Sequence, residues 1–298
     1  MILNRAAGTS SNKPGQSAEE IRKLFAAAGV EARIVHSDAS KDLVAVAREA
    51  ADGPDEVIVA GGGDGTISAV AGVLADSGKI LGVLPLGTLN HFAKDLGIPL
   101  EIPAAVQTIA QGNVKEVDVG EVNGRVFINN SSLGIYPQIV ARREAQQEQL
   151  GRAKWPAFLW ATVQAFHRFP FLQLRITAEG KQLTPKTAFV FIGNNEYEIA
   201  GFKLGGRTCM DAGKLGLYLT HRTGRLGLFR LGFNALLGRL NQAKDFDSFC
   251  VSEATIEARK PRLLVATDGE VTSLQTPLHY RIRPRALRVL VPEIEPAG

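Results

Sequence analysis

A run of small residues interrupted by one carboxylate, GGGDGT at Gly61 to Thr66, has the composition of a phosphate-binding loop. It follows a short apolar segment, Glu56 to Ala60, and it precedes a helical pattern at Ile67 to Ala75. Ordering consecutive glycines costs conformational entropy, so the run indicates that the backbone approaches another group closely. At a strand end, its amides and the positive end of the next helix would face one anion. Asp64 would then orient Mg²⁺ or a nucleophile.

The same run has a structural alternative, a glycine-rich turn in which Thr66 caps the following helix. It matches neither the Walker pattern, GxxxxGK followed by Ser or Thr, nor the dinucleotide-binding pattern GxGxxG. The run therefore predicts phosphate binding by a loop that belongs to neither of these two types.

A second polar loop follows the next predicted strand, Ile80 to Leu84, and is expected at the same edge of the sheet. In this loop Gly87 permits close approach, and Thr88 and Asn90 offer short hydrogen-bonding groups. Taken alone, Asn90 could equally cap a helix that begins at His91. Beside the glycine run, the loop favours nucleotide binding.

The order of predicted elements in the first part of the chain determines where these loops would lie. Short apolar segments alternate with helical patterns, which is typical of parallel βαβ units in an open, doubly wound sheet. The predicted strands are Ile2–Leu3, Ala32–Val35, Glu56–Ala60 and Ile80–Leu84, and the predicted helices are Ala18–Ala28, Leu43–Ala51 and Ile67–Ala75. Ligands of such sheets bind beyond the carboxyl ends of the strands, where the turn from Asn4 to Gly8 would add a third loop.

After about Val119 the pattern changes to short strands separated by turn residues, which predicts a β-rich second domain with a sandwich fold. The predicted strands are Arg125–Asn129, Leu172–Ala178, Thr187–Ile192, Leu215–Thr220, Ala254–Ala258, Leu263–Thr267 and Leu287–Val291. Helical patterns at Lys154–Phe166 and Arg225–Leu240 interrupt them. The second helix has an apolar stripe flanked by arginines, and it either packs against the sandwich or rests on lipid headgroups.

The composition narrows the class of protein further. Of the 298 residues, 45% are hydrophobic and 21% are charged, which suits two globular domains. A net charge of +4 suits an anionic partner such as nucleotide phosphates or a membrane surface, and equally an ordinary enzyme. Two cysteines, the lack of a signal-peptide pattern and the lack of a bilayer-spanning apolar stretch predict a soluble, cytoplasmic protein. Any membrane contact would be peripheral, at the inner face.

The three loops, NRAAG at Asn4 to Gly8, GGGDGT, and PLGTLNHFAKDLGIP at Pro85 to Pro99, together resemble a known family. They are similar to the catalytic domain shared by diacylglycerol, sphingosine and ceramide kinases and by bacterial lipid kinases, with NAD kinase and phosphofructokinase as more distant relatives. The segments Phe127 to Gly134, Gly193 to Tyr197 and Thr267 to Glu270 are similar to landmarks of the family's second domain. The resemblance therefore covers nearly the whole chain.

This resemblance implies a fold and an activity. Residues 1–119 would form an α/β nucleotide-binding domain, residues 120–284 a β-sandwich and residues 285–298 a C-terminal segment closing the fold, with the active site in the interdomain cleft. The activity would be transfer of the γ-phosphoryl group of Mg-ATP to a lipid hydroxyl, with diacylglycerol giving phosphatidic acid. Another lipid such as a sphingoid base, a small alcohol, or a non-catalytic nucleotide- or lipid-binding regulator are the alternatives. No nucleic-acid partner is expected, and a homodimer is left open.

The resemblance also implies roles for individual residues. The ATP-binding residues would be Asn4, Arg5, Ala6, Ala7, Gly8, Gly62, Gly63, Asp64, Gly65, Thr66, Gly87, Thr88 and Asn90. Asp64 would organise Mg²⁺ and the transferred phosphoryl group, and Glu270 would be the general base. From the residues alone, Asp268-Gly269 predicts a tight β-hairpin, and Glu270 could be no more than the first residue after its turn.

Several positions depart from the family pattern. Arg5 and Ala7 stand where proline and serine are usual, and Leu89 and His91 replace the usual glycine and aspartate. In the turn from Met210 to Gly216, Ala212 and Gly216 replace aspartates around which some relatives hold a structural Mg²⁺. Only three residues precede Asn4, and the first predicted strand is unusually short, which leaves open whether the true start of the protein lies upstream.

Overall fold

The computed structural model describes residues 1–4, 17–37, 43–134, 137, 171–197, 199–200, 203–204, 207, 209–220 and 246–293. The helices predicted at Lys154–Phe166 and Arg225–Leu240 lie outside the described residues, as do Arg5, Ala6, Ala7 and Gly8. No helix within the described residues is long and apolar enough to cross a bilayer.

The first part of the chain is an α/β domain with a parallel sheet. Its elements are β1 (Ile2–Asn4), α1 (Ala18–Ala27), β2 (Val35–Ser37), α2 (Leu43–Asp52), β3 (Val57–Gly62), α3 (Asp64–Leu74), β4 (Ile80–Pro85), α4 (His91–Asp95) and α5 (Ile102–Gln111). The strands pair in parallel in the order β2, β1, β3, β4. Helix α2 packs against α3, and α1 against α5. This arrangement confirms the predicted α/β fold, which places β1, β3 and β4 side by side.

Local sequence explains the first helix well. The Ser17 hydroxyl accepts a hydrogen bond from the Glu20 amide (3.2 Å), and the Glu20 carboxylate accepts one from the Ser17 amide (3.1 Å). This capping box satisfies amides that the first turn of a helix leaves without a partner. Ile21 and Phe25, four residues apart and fully buried, then attach one face of α1 to the core.

The second part of the chain is a β-sandwich, as predicted. Its strands are β5 (Val114–Val122), β6 (Arg125–Phe127), β7 (Asn130–Gly134), β8 (Leu172–Ala178), β9 (Lys181–Leu183), β10 (Lys186–Thr187), β11 (Phe189–Asn194), β12 (Ile199–Ala200), β13 (Lys203–Leu204), β14 (Leu215–Thr220), β15 (Phe246–Val251), β16 (Glu253–Ala258), β17 (Arg262–Thr267), β18 (Glu270–Gln275) and β19 (Leu278–Leu290). One sheet has the order β15, β14, β11, β7, β17, β18. Its inner face packs against the other sheet, which contains β8, β16 and β19.

Strand β19 joins the two parts. Its first residues pair antiparallel with β16, most of its length pairs antiparallel with β5, and Arg288 and Val289 pair in parallel with Ile80 and Leu81 of β4. The sequence predicted only Leu287–Val291 as strand. A register shift between Arg283 and Leu287 separates that segment from the first half of β19, where Leu278, Tyr280 and Ile282 alternate with polar side chains. One of these, Arg281, donates from Nε and Nη2 to the two carboxylate oxygens of Glu121, each at 3.0 Å. The cross-strand partner therefore compensates for the charge.

The other boundary errors concern the chemistry-bearing loop. Strand β3 continues to Gly62 rather than ending at Ala60, and α3 begins at Asp64 rather than Ile67. The Thr66 and Ile67 amides both donate to the Gly63 carbonyl, at 2.9 and 3.1 Å, so the glycine run already forms the first turn. The sequence did not predict this helix start, because glycine has a low helix propensity. Strand β2 likewise lies at Val35–Ser37, later than the predicted Ala32–Val35.

A buried ion pair fixes the α/β domain against the sandwich. Arg207 donates from Nε to the Asp95 carboxylate at 2.8 Å, and Nη2 lies 2.8 Å from the same oxygen. The Arg207 side chain is fully buried, and that of Asp95 is 10% exposed. The guanidinium also donates to the carbonyls of Ile128 (2.6 Å) and Asn194 (3.1 Å). One side chain thereby joins the end of α4 to two sandwich segments.

Removing this guanidinium should destabilise the protein strongly. In Arg207→Ala the Asp95 carboxylate stays buried without its cation, and breaking a buried pair costs about 3–5 kcal/mol. We expect a loss of that size in the free energy of unfolding, measured by urea titration. The matched control is Arg175→Ala, which breaks the exposed Arg175–Glu257 pair (3.1 Å) and should cost about 1 kcal/mol or less. Equal losses in the two variants would contradict the role assigned to the buried pair.

Candidate functional site

The glycine run occupies the end of β3 and the start of α3. Gly63 is the N-cap in an extended conformation (φ −85°, ψ −179°), and Asp64 is the first residue of the helix. The Oδ1 atom of Asp64 is buried and has no hydrogen-bond partner in the described part of the chain. A buried carboxylate oxygen without a partner is costly unless a ligand or cation completes it. This atom makes the helix N-terminus a candidate binding site.

The loop after β4 is held together by Asn90. This residue is buried and has a left-handed backbone conformation (φ 50°), which asparagine tolerates better than most residues. Its Oδ1 accepts a hydrogen bond from the Gly87 amide (3.1 Å), and its Nδ2 donates to the Gly87 carbonyl (2.9 Å). Asn90 stands at the N-cap of α4 but makes no side-chain cap hydrogen bond. Its amide shapes the loop instead, and leaves Thr88 exposed beside it.

The two loops touch at their glycines. A Cβ atom on Gly87 would lie 2.5 Å from the Gly63 Cα and 2.8 Å from Asn90 Oδ1, distances that no real Cβ tolerates. The Leu86 amide also donates to the Gly62 carbonyl at 2.9 Å. Glycine is therefore required at position 87 by the approach of two backbones.

The end of β1 adds the third polar group at this edge. Asn4 Nδ2 donates to Thr66 Oγ1 at 3.0 Å, which connects the first loop with the first turn of α3. A Cβ on Gly62 would lie 2.6 Å from the same Thr66 hydroxyl. The predicted site residues of β1, β3 and β4 therefore form one connected surface at the carboxyl ends of neighbouring strands.

The hairpin between β17 and β18 approaches this surface from the sandwich. Asp268 and Gly269 both have positive φ (49° and 87°), as a tight hairpin turn requires, which confirms the predicted turn. The Asp268 carboxylate accepts hydrogen bonds from the amides of Ile128, Asn129 and Asn130 at 2.8 to 3.0 Å. It also accepts one from the Ser68 hydroxyl of α3 at 2.5 Å. Burial raises the pKa of the Asp268 carboxyl, while these hydrogen bonds oppose the rise.

Glu270 lies in a different environment, although it is only two residues further on. Its side chain is 74% exposed, and its carboxylate forms an ion pair with Arg125 Nη2 at 2.8 Å. Arg125 Nε also donates to Thr267 Oγ1, on the strand that pairs with β18, at 3.0 Å. The carboxylate is thus accessible and held by a cation, which is compatible with accepting a proton from an incoming group.

The Gly193 to Tyr197 segment forms part of the junction beneath the site. Asn194 Nδ2 donates to the carbonyls of Asp118 (2.8 Å) and Ile128 (2.9 Å). The Tyr197 hydroxyl donates to the Asn129 carbonyl at 3.1 Å, and burial raises the pKa of Tyr197 to about 12. These side chains support the segment that also supplies amides to Asp268.

The turn at Met210 to Gly216 is secured by a buried carboxylate from β5. Asp118 accepts hydrogen bonds from the Gly213 amide (2.7 Å) and the Arg285 amide (2.8 Å). Asp211 in the turn accepts one from the exposed Cys209 thiol at 3.0 Å. No group of three or more Asp, Glu, His or Cys side chains that could hold a metal ion occurs here or elsewhere in the described ranges.

The sequence predicted most residues of the polar surface, but not the residues that hold the surrounding segments in place. Asn4, Thr66, Gly62, Gly63 and Gly87 are brought together as predicted. Glu270 contacts Arg125, and no hydrogen bond or ion pair between described residues links it to the glycine run. Sequence inspection missed the supporting residues Ser68, Asp95, Arg125, Arg207 and Asp268. Asp268 carried a signal, since it opens the hairpin, but only as a turn residue.

The assembled surface is a candidate polyphosphate site. It combines a helix N-terminus, glycine backbones and short polar side chains, which together form an anion site. Asp64 suits Mg²⁺, because this cation is usually held by one or two carboxylates together with the phosphates of the substrate. The exposed carboxylate on the neighbouring hairpin could accept a proton. Such a set of groups would suit phosphoryl transfer.

Comparison with known protein families gives one match for each part of the chain. Residues 1–122 match the family model described as the diacylglycerol kinase catalytic domain. Residues 134–291 match the model described as the YegS C-terminal NAD kinase β-sandwich-like domain.

Individual relatives cover different shares of the chain. A YegS-like lipid kinase of Pseudomonas aeruginosa is 32% identical over 288 residues, which are 93% of this chain and 91% of that protein. A diacylglycerol kinase of Bacillus subtilis is 42% identical over 113 residues, 37% of each chain. A Synechocystis protein is 27% identical over 264 residues, which are 86% of this chain but only 60% of that protein.

Solved structures share the architecture. A Bacillus anthracis protein described provisionally as a diacylglycerol kinase superposes with a TM-score of 0.75 at 26% identity, covering 98% of this chain and 96% of that one. A second diacylglycerol kinase structure from the same organism has a TM-score of 0.69 at 23% identity, covering 98% and 95%. The second likeness concerns the fold alone.

The contact between the two glycine loops should be essential for nucleotide binding. Gly87→Ala forces a methyl group against Gly63, so we expect nucleotide affinity, measured by calorimetry, to fall at least about tenfold as the loops separate. The control is Gly72→Ala on α3, where the nearest atom to the new Cβ would be Val126 Cβ at 3.8 Å. Gly72→Ala should bind like the wild type. Normal affinity in Gly87→Ala would show that the loop contact is unimportant for binding.

Proposed function

Because the chain belongs to the family of lipid kinases that have a diacylglycerol kinase catalytic domain, we propose that it phosphorylates a lipid hydroxyl with ATP. Diacylglycerol is the proposed acceptor and phosphatidic acid the product. The observation that carries the proposal is the buried, unpartnered Asp64 Oδ1 at the start of α3, beside two glycine loops. A kinase needs such a group where the phosphates bind.

The phosphates of ATP would bind along the carboxyl ends of β1, β3 and β4. Asn4 and Thr66 are already hydrogen-bonded there, and Gly62, Gly63 and Gly87 allow close approach to the backbone. The remaining proposed contacts are Arg5, Ala6, Ala7, Gly8, Gly65, Thr88 and Asn90. Positioning and electrostatic stabilisation supply most of the catalysis in phosphoryl transfer, so this surface would contribute most of the rate enhancement.

Asp64 would hold a Mg²⁺ ion that comes with the nucleotide. When bound, Mg²⁺ supplies positive charge that neutralises the phosphate oxygens. Asp64 is suited to this because its unpartnered oxygen lies at the N-terminal end of α3, where the bound cation and the phosphates would meet.

Glu270 would act as the general base. The acceptor oxygen attacks the γ-phosphorus and forms the new P–O bond, the bond to the bridging oxygen of ADP breaks, and the hydroxyl proton passes to the Glu270 carboxylate. The exposure of Glu270 leaves it accessible to a lipid hydroxyl, and Arg125 restrains its position. We further propose that the enzyme works in the cytoplasm, in peripheral contact with anionic lipid, because its acceptor lies in a bilayer.

A lipid panel with labelled ATP tests the proposed function directly. Diacylglycerol, a sphingoid base and another glycerolipid are offered in vesicles of low and high anionic content, at low and high salt, and a soluble alcohol is offered free in solution. We expect transfer to diacylglycerol that is faster on anionic vesicles and slower at high salt.

The Asp64→Asn variant, whose side chain is nearly isosteric, should remain folded and lose turnover by orders of magnitude.

The outcomes separate the proposals. Transfer to another acceptor only would replace diacylglycerol, and a rate that ignores vesicle charge and salt would remove the anionic contact. Near-normal turnover in a folded Asp64→Asn variant would disprove the role of Asp64. Nucleotide binding without turnover on any acceptor would favour the regulator.

Glu270→Gln should separate binding from chemistry. The amide keeps the shape of the side chain but cannot accept the proton, so kcat should fall about 10²- to 10⁴-fold while ATP affinity changes little. The matched control is Glu257→Gln, another exposed strand glutamate in an arginine ion pair, at 3.1 Å from Arg175. It should leave kcat unchanged. If ATP affinity collapses in Glu270→Gln while kcat survives, Glu270 serves binding and is no base.

A further inference from the structure

The Asp268 carboxylate is the point at which the hairpin of β17 and β18 meets the nucleotide-binding helix. One of its oxygens, Oδ1, accepts hydrogen bonds from the amides of Asn129 and Asn130. The other, Oδ2, accepts from the Ile128 amide at 2.8 Å and from the Ser68 hydroxyl at 2.5 Å. The amide contacts attach the hairpin to its own domain, whereas the Ser68 contact crosses to the α/β domain.

We propose that the Ser68–Asp268 hydrogen bond positions Glu270 relative to the nucleotide, with Ser68 and Asp268 as positioning residues. The proposal rests on the proposed function, in which Asp64 serves the phosphates and Glu270 accepts the proton. Neither Ser68 nor Asp268 contacts the reacting atoms in this scheme. They set the distance between Asp64 and Glu270, which do contact the reacting groups.

The helical spacing supports this role on one side of the contact. Ser68 follows Asp64 by four residues in α3, so the two side chains lie on the same face, one turn apart. A hydrogen bond at Ser68 therefore anchors the sandwich close to the end of the helix that would carry the phosphates.

The hairpin geometry supports it on the other side. Glu270 pairs directly with Thr267 across the two-residue turn formed by Asp268 and Gly269. Arg125 donates to Thr267 and pairs with Glu270, so the turn, the base and its cation form one unit. A displacement of Asp268 would therefore move the Glu270 carboxylate with it.

The distribution of hydrogen bonds indicates that Ser68 is not needed to fold the hairpin. The three backbone amides already satisfy both Asp268 oxygens within the sandwich. The added hydroxyl contact is a short hydrogen bond to a charged acceptor, the stronger class of hydrogen bond. Its effect should thus appear in the relation between the domains more than in the stability of either one.

The test compares Ser68→Ala with Ser68→Thr, which keeps the hydroxyl. Misplacing a catalytic group by about 1 Å can cost about 10²-fold in rate. We expect Ser68→Ala to lower kcat about 10- to 100-fold, with KM for ATP within about twofold of wild type and a nearly unchanged Tm. Ser68→Thr should restore most of kcat. Hydrogen exchange of the peptide that contains Asp268 to Gln275 should accelerate in Ser68→Ala only.

A control and a second variant make the result specific. Ser77→Ala removes another serine hydrogen bond just beyond the same helix, from Oγ to the Leu74 carbonyl at 2.7 Å, and should leave kcat unchanged. In an Asp268→Ala background, Ser68→Ala should have little further effect, because the Ser68–Asp268 contact is already absent. If Asp268→Ala does not fold, the Ser68 variants decide the question alone.

A Ser68→Ala variant with the same kcat as the wild type would overturn the positioning role but not the proposed function. The same holds if Ser68→Ala loses activity only in proportion to a lower Tm or through a higher KM for ATP. No turnover by the wild type on the whole lipid panel would instead refute the proposed function, and the positioning role with it.

Discussion

The relative placement of the two parts of the chain depends on the interactions of the buried Arg207 guanidinium. A guanidinium keeps its charge under all conditions in a protein, so burying it requires acceptors for its rigid set of donors. Here the acceptors come from both domains: the Asp95 carboxylate at the end of α4, and the carbonyls of Ile128 and Asn194 in the sandwich. Another relative placement of the domains would leave some of these charges and donors without partners.

The same requirement extends through the junction. Asp118, Asn194 and Asp268 are buried polar side chains that bond to backbone groups of distant segments. Apolar contacts tolerate sliding, whereas hydrogen-bonded polar groups hold one register, because each misplacement leaves a buried group unsatisfied. The junction is thus specified more sharply than a hydrophobic interface of the same size would be. This precision would matter for the proposed function, in which groups of both domains meet at one reacting centre.

Two carboxylates in the TDGE segment illustrate how environment assigns different roles. Asp268 is enclosed by amides and a hydroxyl, so its oxygens are engaged in structure. Glu270 is exposed and lies beside the Arg125 cation, so it can still meet a substrate. Asp64 differs from both, since one of its oxygens is buried without any partner in the described residues. These three acids would be indistinguishable by charge alone.

The sequence by itself determined what local interactions control. Strand-length apolar segments and helical periodicity predicted the α/β domain and the loops at its strand ends, and Asp268-Gly269 predicted the hairpin. These inferences about the fold succeed because turns and periodicity involve neighbouring residues. Helix α5 at Ile102–Gln111 and strand β5 went unpredicted, although both are regular elements.

The tertiary structure decided which distant side chains become partners. Ser68 and Asp268 are separated by 200 residues, and Arg207 and Asp95 by 112. Nothing in either local segment predicts such a partner, because serine, aspartate and arginine are equally suited to an exposed surface. The entry of β19 into the first domain's sheet was hidden for the same reason, since the acidic partners of its arginines, Glu121 and Asp76, are distant in sequence. Burial and pairing at this distance arise when the chain has packed, and only then do these residues acquire their roles.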